Sequence, residues 1–428
     1  MDSEDNFIAF GCWNNGYCGD KVSNGLSMVM DALLNEDKNT KKIIVLGDNY
    51  YPGSIELKGK EKSKSKSEKS KVGKSDKKDK KSKKSKKGDI KIKKLNRRNL
   101  MKGFDCLSQV SDSLNAEVYL LTGNHETDKL LDDIDIEYTP ENIEQNSYDC
   151  LSLELQKELV VDNANFSLIG WEPLGFNPGS PEPLSDEGYF DIQHTDSMMY
   201  IYLDTNIYED DANICGLDQD ILRRNVQRKI IMELIKHPGK SVTFFGHVPL
   251  FTCRLKKGEN IGSLCNNSEL IFKDIFNHSK ISKLLLNTKY VYYICADTHY
   301  YQQSMITLTN GLVLTQYIVG TGGADLDVHS EEIGLCLPTA IVKKGRRLPI
   351  PNTYISESYI IQNEDTFGYL KCEVFDGQLN TMFVNVDHYS RLPKKIKGSK
   401  RLKIKKNRKK IYSRKRSKKN KKSKNKNK

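Results

Sequence analysis

IIVLGDNYY, residues 43–51, reads as a short apolar run that breaks into a polar turn carrying an aspartate and two tyrosines. Consecutive branched or long aliphatic side chains suit a strand buried on both faces, and Gly and Asn punctuate its end. Upstream, FIAF at 7–10 is a second such run. Between the two, Leu26, Met30, Leu33 and Leu34 recur at helical spacing. The order is strand, helix, strand. Downstream, the pattern predicts a helix over about 99–114, then VYLL at 118–121 and the turn TGNHE at 122–126. A Lys/Ser run at 58–98 interrupts this order. Looping out its 41 residues shortens the Asp48–Asn124 separation from 76 to 35 positions, which fits a strand–helix–strand crossover of roughly 30 residues or more.

The alternation continues with MMYIYLDTN at 198–206, a helix over about 217–236, VTFFGHVPLF at 242–251, a helix near 279–287 and YVYYICADTHY at 290–300. QYIVGTGGA at 316–324 reads as a strand running into a glycine turn, and strands around 367–373 and 379–386 close the body. Apolar strands alternating with helices predict an α/β fold of buried sheets covered by helices. The stretches 127–147, 172–196 and 252–278 read as variable loops.

In such folds, sites assemble on loops after the C-terminal ends of strands. Asp48, Tyr51, Asn124, His247, Asp297 and His299 all fall on such loops and supply oxygen and nitrogen donors suited to first-row metals. Taken singly, each has a structural reading. GDNYYP makes a good turn, His247 before Pro249 suits a packed histidine, and GNHE suits a helix start with Asn124 as cap and Glu126 at the positive end. Four such motifs in one order, each following an apolar strand, point to a site instead. Two ions about 4 Å apart can polarise a phosphoryl oxygen and deliver a nucleophile in line.

With these motifs in place, the chain resembles the calcineurin-like metallophosphoesterases, and within them the purple acid phosphatase-like branch. FGCWN, GDNYY, GNHE, GHVP and ADTH occupy the places of that family's five motifs, over most of residues 7–386 outside the insertion. The resemblance implies a two-sheet sandwich flanked by helices and two metal ions (iron, zinc or manganese). It also implies an acid phosphatase-like hydrolase that cleaves phosphomonoesters or phosphodiesters by attack of a metal-bound hydroxide. By similarity Asp48 would bridge the ions and also serve catalysis. Tyr51 and His299 would bind the first ion, Asn124 and His247 the second, and His125 would assist the leaving group without ligating. Tyr51, three residues after the bridging aspartate, points to the purple acid phosphatase-like branch and to iron in the first site. Two positions depart from the pattern. Cys12 stands where the family has its first aspartate, and Asp297 where it has the first histidine of its last motif. Cys12, with Asn14 as a weak oxygen donor, then completes the candidate ligand set. The same departures frame the alternative, a catalytically degenerate fold acting as a polyanion- or nucleic-acid-binding module.

The 428 residues carry a net charge of +12 that hides a division. Residues 58–98 hold 21 Lys+Arg against 5 Asp+Glu, and residues 394–428 hold 21 and no acid. Neither segment has the apolar content to fold alone, so both are expected to be disordered, one an insertion within a 1–393 domain and the other a tail. The rest is left strongly acidic. Basic arms of this kind attract polyanions through counterion release, and one Tyr412 among them argues for sequence-blind contact. Ten cysteines without a C-x-x-C pair, an acidic N-terminus and no apolar run long enough to span a bilayer predict an intracellular protein, cytoplasmic or nuclear, with mostly reduced thiols.

Overall fold

The computed structural model describes residues 5–14, 25–36, 39–49, 51, 97–126, 156, 159–160, 163–169, 190–208, 219–252, 266–327, 334–336, 341–343, 346–348 and 354–386. The FIAF run lies in β1 (Asp5–Phe10) and the KIIV run forms β2 (Lys42–Val45), with α1 (Gly25–Leu33) between them. Helix α2 (Arg97–Leu114) then leads to β3 (Glu117–Leu120), and β4 (Phe166–Leu168) follows. These four strands run parallel in the order β1-β2-β3-β4. The sheet is finished by β15 (Gly368–Phe375), antiparallel to β1, and β16 (Gln378–Asn385).

A second sheet is built around β6 (Met198–Leu203), β7 (Ser241–Phe245), β8 (Val291–Cys295) and β10 (Val313–Val319), also mutually parallel. Strand β5 (Phe190–His194) flanks β6, while β9 (Tyr301–Leu308), β14 (Ile355–Glu364) and β11 (Gly334–Cys336) extend the other side, all antiparallel to their neighbours. A separate hairpin pairs β12 (Ile341–Lys343) with β13 (Arg346–Leu348).

The period-two pattern explains the layers. Along β6, Met198, Tyr200 and Tyr202 belong to one buried cluster with Phe7 and Phe10, whereas Met199, Ile201 and Leu203 belong to another with the helices. Phe7, 1% exposed, packs edge-on against Tyr200 and Phe245, and Tyr119 stacks on Tyr202, so the sheets meet face to face through aromatic rings. Burying one such ring is worth about 1.5–3 kcal/mol, with roughly 0.5–1.5 more from edge-on pairing. The outer face of the second sheet is covered by α3 (Gln219–Lys236), α4 (Asn266–Ile271), a π turn (Phe272–Phe276) and α5 (Ser279–Leu285). The result is the α/β fold of helix-covered sheets that the sequence pattern predicts, in the two-sheet sandwich that the resemblance implies.

Several expectations need correction. Helix α2 opens at Arg97, so Arg97 and Arg98 belong to the body rather than to the 58–98 insertion. The rest of both basic arms lies outside the described residues. Strand β5 falls inside the stretch read as a 172–196 loop, and α4 with the π turn falls inside 252–278. Leu34 follows α1 and is exposed, as is Ile221 on α3. Among the described residues Cys12, Cys106, Cys295 and Cys372 are free thiols, and no helix is long and apolar enough to cross a membrane.

Candidate metal centre

The parallel strands of both sheets end along one edge. Backbone bonds join these ends: Gly11 N donates to Val319 O at 2.9 Å, Gly322 N to Gly11 O at 3.0 Å and Ala324 N to Cys12 O at 2.8 Å. Cys12 follows β1, Asp48 follows β2, Asn124–Glu126 form a single 3-10 turn after β3, His247 follows β7, and Asp297 and His299 follow β8. Asp48, Cys12 and Asp297 have φ of 55°, 53° and 54°. A non-glycine residue in the left-handed region carries a cost of about 1–3 kcal/mol, tolerated where the surroundings over-determine it and concentrated at functional sites. Gly47 and Gly123 permit the close approach. A Cβ on Gly47 would stand 2.6 Å from His247 Nδ1, and one on Gly123 would stand 2.4 Å from Asp48 Oδ1.

Asp48, 1% exposed, is the hub. Its Oδ1 lies 3.2 Å from His247 Nε2, which is itself 3.1 Å from Asn124 Oδ1 and 3.8 Å from Asp297 Oδ1. Its Oδ2 accepts from the Tyr51 hydroxyl at 3.0 Å, and that hydroxyl lies 3.4 Å from His299 Nε2. The two carboxylate oxygens therefore face two separate donor groups. The Cys12 thiol, the Asp48 carboxylate and a His247 ring nitrogen lie within 4.8 Å of one another, a spacing that could hold an ion. His125 stands at the rim, its Nε2 4.0 Å from Asp48 Oδ2 and its ring 4.7 Å from that of Tyr51. Asn14 sits beside Asn49, which follows Asp48. Its amide bonds Asn49 O at 2.8 Å and packs against Gly103 of α2.

Each histidine is aimed by its second nitrogen. His247 Nδ1 donates to Leu46 O at 2.7 Å, and His299 Nδ1 donates to Asp325 O at 2.7 Å, leaving both Nε2 atoms turned inward. Burial would push the Asp48 carboxyl up, but His247 beside it wins and holds it well below the usual carboxylate range. Burial would likewise lower His247, yet Asp48 and Asp297 raise it to about 10. Burial, with Asp48 and Asp297 nearby, pushes the Cys12 thiol up, and burial with Cys12 and Asp48 does the same to the Tyr51 phenol. Without a bound cation, this cluster takes up protons to balance its own negative charge. A metal ion would do the same and would ionise the thiol and phenol.

Three supporting residues escape a motif reading. Glu126, 1% exposed, accepts from Gly123 N at 2.5 Å and Asp48 N at 3.2 Å, pinning both turns. Burial and Asp48 raise its carboxyl to about 7. Asn49 accepts from Trp13 Nε1 at 2.9 Å and donates to Leu121 O at 2.6 Å, and Asn206 donates to Gly123 O at 3.1 Å. The signal was present in GDN and YLDTN, whose asparagines are buried rather than solvated turn residues.

No family model and no curated protein matches the sequence. Among solved structures, a purple acid phosphatase (PPD1) from yellow lupin, Lupinus luteus, is similar over 90% of this chain and 52% of its own, at 12% identity and a TM-score of 0.46. GAP50, described as the anchor in the inner membrane complex of Plasmodium, is similar over 89% and 84%, at 12% and 0.43. Phosphopantetheinyl hydrolase (PptH) from Mycobacterium tuberculosis is similar over 75% and 92%, at 11% and 0.32. The chain thus spans about half the length of the lupin protein. Likeness at this level carries no activity across. What the chain's own residues establish is an α/β sandwich of two mixed sheets with a candidate metal centre where the strand ends of both meet.

Proposed function

We propose that the protein is a metal-dependent phosphoesterase, with the split carriage of Asp48 as the observation that supports this reading most. Oδ1 lies beside His247 Nε2, which in turn neighbours Asn124 and Asp297, while Oδ2 accepts from Tyr51, whose hydroxyl neighbours His299. That is the arrangement a bridging carboxylate needs. The donor set fits ions in its chemistry: a buried carboxylate, an amide oxygen and a second carboxylate surround His247 Nε2 at 3.1–3.8 Å. When bound, two ions would supply Lewis-acid polarisation of a phosphoryl oxygen and a water acidified enough to attack.

The remaining work falls to the chain. Asp48 fixes the spacing between the two donor groups. Leu46 O and Asp325 O hold the two imidazoles in register before substrate arrives, which limits reorganisation on reaction. His125, with a side chain 32% exposed beside this cluster, is placed to hold a proton at Nε2 for the leaving oxygen. Asp297 in place of a histidine adds negative charge to the His247 side and so favours a harder divalent ion there, such as manganese.

The test is metal analysis of protein purified without chelator, paired with hydrolysis of 4-nitrophenyl phosphate. About two ions per chain and turnover that is lost in Asp48→Asn are expected. A well-folded, metal-free and inactive wild type would overturn the reading.

A further inference from the structure

A second cluster of ligand atoms lies away from the strand-end edge. His194 is the last residue of β5, Glu233 sits in the final turn of α3, and His237 follows that turn. His237 N donates to Glu233 O at 3.0 Å, so the helical geometry continues and places positions 233 and 237 on one face. Both imidazoles turn Nε2 toward the same atom, Glu233 Oε2, at 3.3 Å for His194 and 3.6 Å for His237. Their ring centroids are 4.2 Å apart, and one ligand atom from each of the three residues falls within 4.8 Å of the others.

We propose that His194, Glu233 and His237 form a second divalent-metal site, selective for zinc-like ions, that clips the edge strand β5 to the C-terminal end of α3. The distances suit a shared ion. Tetrahedral bonds of about 2.0–2.1 Å place ligand atoms roughly 3.3–3.4 Å apart, whereas direct N–H···O bonds run at about 2.7–3.2 Å. The carboxylate is already divided, since Oε1 takes Lys236 Nζ at 2.8 Å and Oε2 is turned to the histidines. The other nearby lysine, Lys240, is tied to Thr195 O at 2.5 Å. A cation at the last turn of α3 also meets the negative end of the helix. Two imidazoles and one carboxylate select zinc, nickel, cobalt or copper over magnesium and calcium, which prefer all-oxygen shells.

The experiment uses the full chain and zinc alone. Equilibrium dialysis with metal analysis is expected to show one zinc equivalent fewer in His194→Gln/His237→Gln than in the wild type, with magnesium failing to replace it. In the wild type, which needs no substitution, saturating zinc is expected to suppress diethylpyrocarbonate labelling of His194 and His237 while leaving His278 unchanged. Equal zinc counts in the two proteins, or undiminished labelling of both histidines at saturating zinc, would overturn the proposal.

Discussion

Replacing Gly123 by alanine probes how tightly the turn after β3 is folded over Asp48. A Cβ there would stand 2.4 Å from both Asp48 N and Asp48 Oδ1, and 2.9 Å from His247 Cε1. The φ of Gly123 lies outside the left-handed region, so the cost is steric and not torsional. Contacts under 3.0 Å are not tolerated, so Asp48 must retreat by at least about 0.6 Å. It has little room to do so. Glu126 Oε2 holds its amide at 3.2 Å, and the Leu46 carbonyl holds His247 at 2.7 Å. Overpacking of this kind costs about 1–3 kcal/mol, and ligand displacement approaching 1 Å costs on the order of 10²-fold in rate. Gly311→Ala supplies the comparison: φ is +87° and nothing lies within 4 Å, so it loses about 1–2 kcal/mol through backbone strain alone. Thermal melts, metal content and 4-nitrophenyl phosphate turnover would be read together. Both variants should melt a few degrees lower, but only Gly123→Ala should lose metal and turnover. The reasoning is refuted if Gly123→Ala keeps both within about twofold of wild type, well short of the 10²-fold expected from displacement.

Cys12 occupies a left-handed position that aspartate tolerates better than most side chains. Cys12→Asp should therefore fold at least as well and raise metal occupancy on the Tyr51 side; unchanged occupancy would remove Cys12 from the ligand set. In the metal-free protein, Glu126 has its folded value raised to about 7 from an ordinary 4.5. Its stabilising contribution is complete below about pH 4.5 and fades as pH rises through 7, so denaturant midpoints should fall across that window and Glu126→Gln should flatten the fall. Phe7→Ala empties the space between Tyr200 and Phe245 and should cost about 3–5 kcal/mol in urea unfolding; a loss below about 1 kcal/mol would mean that the sheets do not pack through this ring.

The strands that carry the centre were legible because each is apolar on both faces, as in KIIV of β2 and VYYIC of β8. Among those missed are two long antiparallel strands. YQQSMITL of β9 and ISESYIIQNE of β14 alternate polar with apolar residues and so resemble surface loops when read alone. The residues that the fold gathers at the strand ends could be placed there because each lies in the loop after a strand. Glu126, Asn49 and Asn206 were not read as supports because their partners are mostly backbone atoms, Gly123 N, Leu121 O and Gly123 O, and only the folded chain brings these within reach.

The edge at which the strand ends meet divides ownership of the centre. Cys12, Asp48, Tyr51 and Asn124 come from the first sheet, and His247, Asp297 and His299 from the second. Among the described residues each sheet supplies only part of this donor set, so an ion held by both would need the two sheets docked. If the proposed metal binding holds, retention of metal would measure closure of the two sheets.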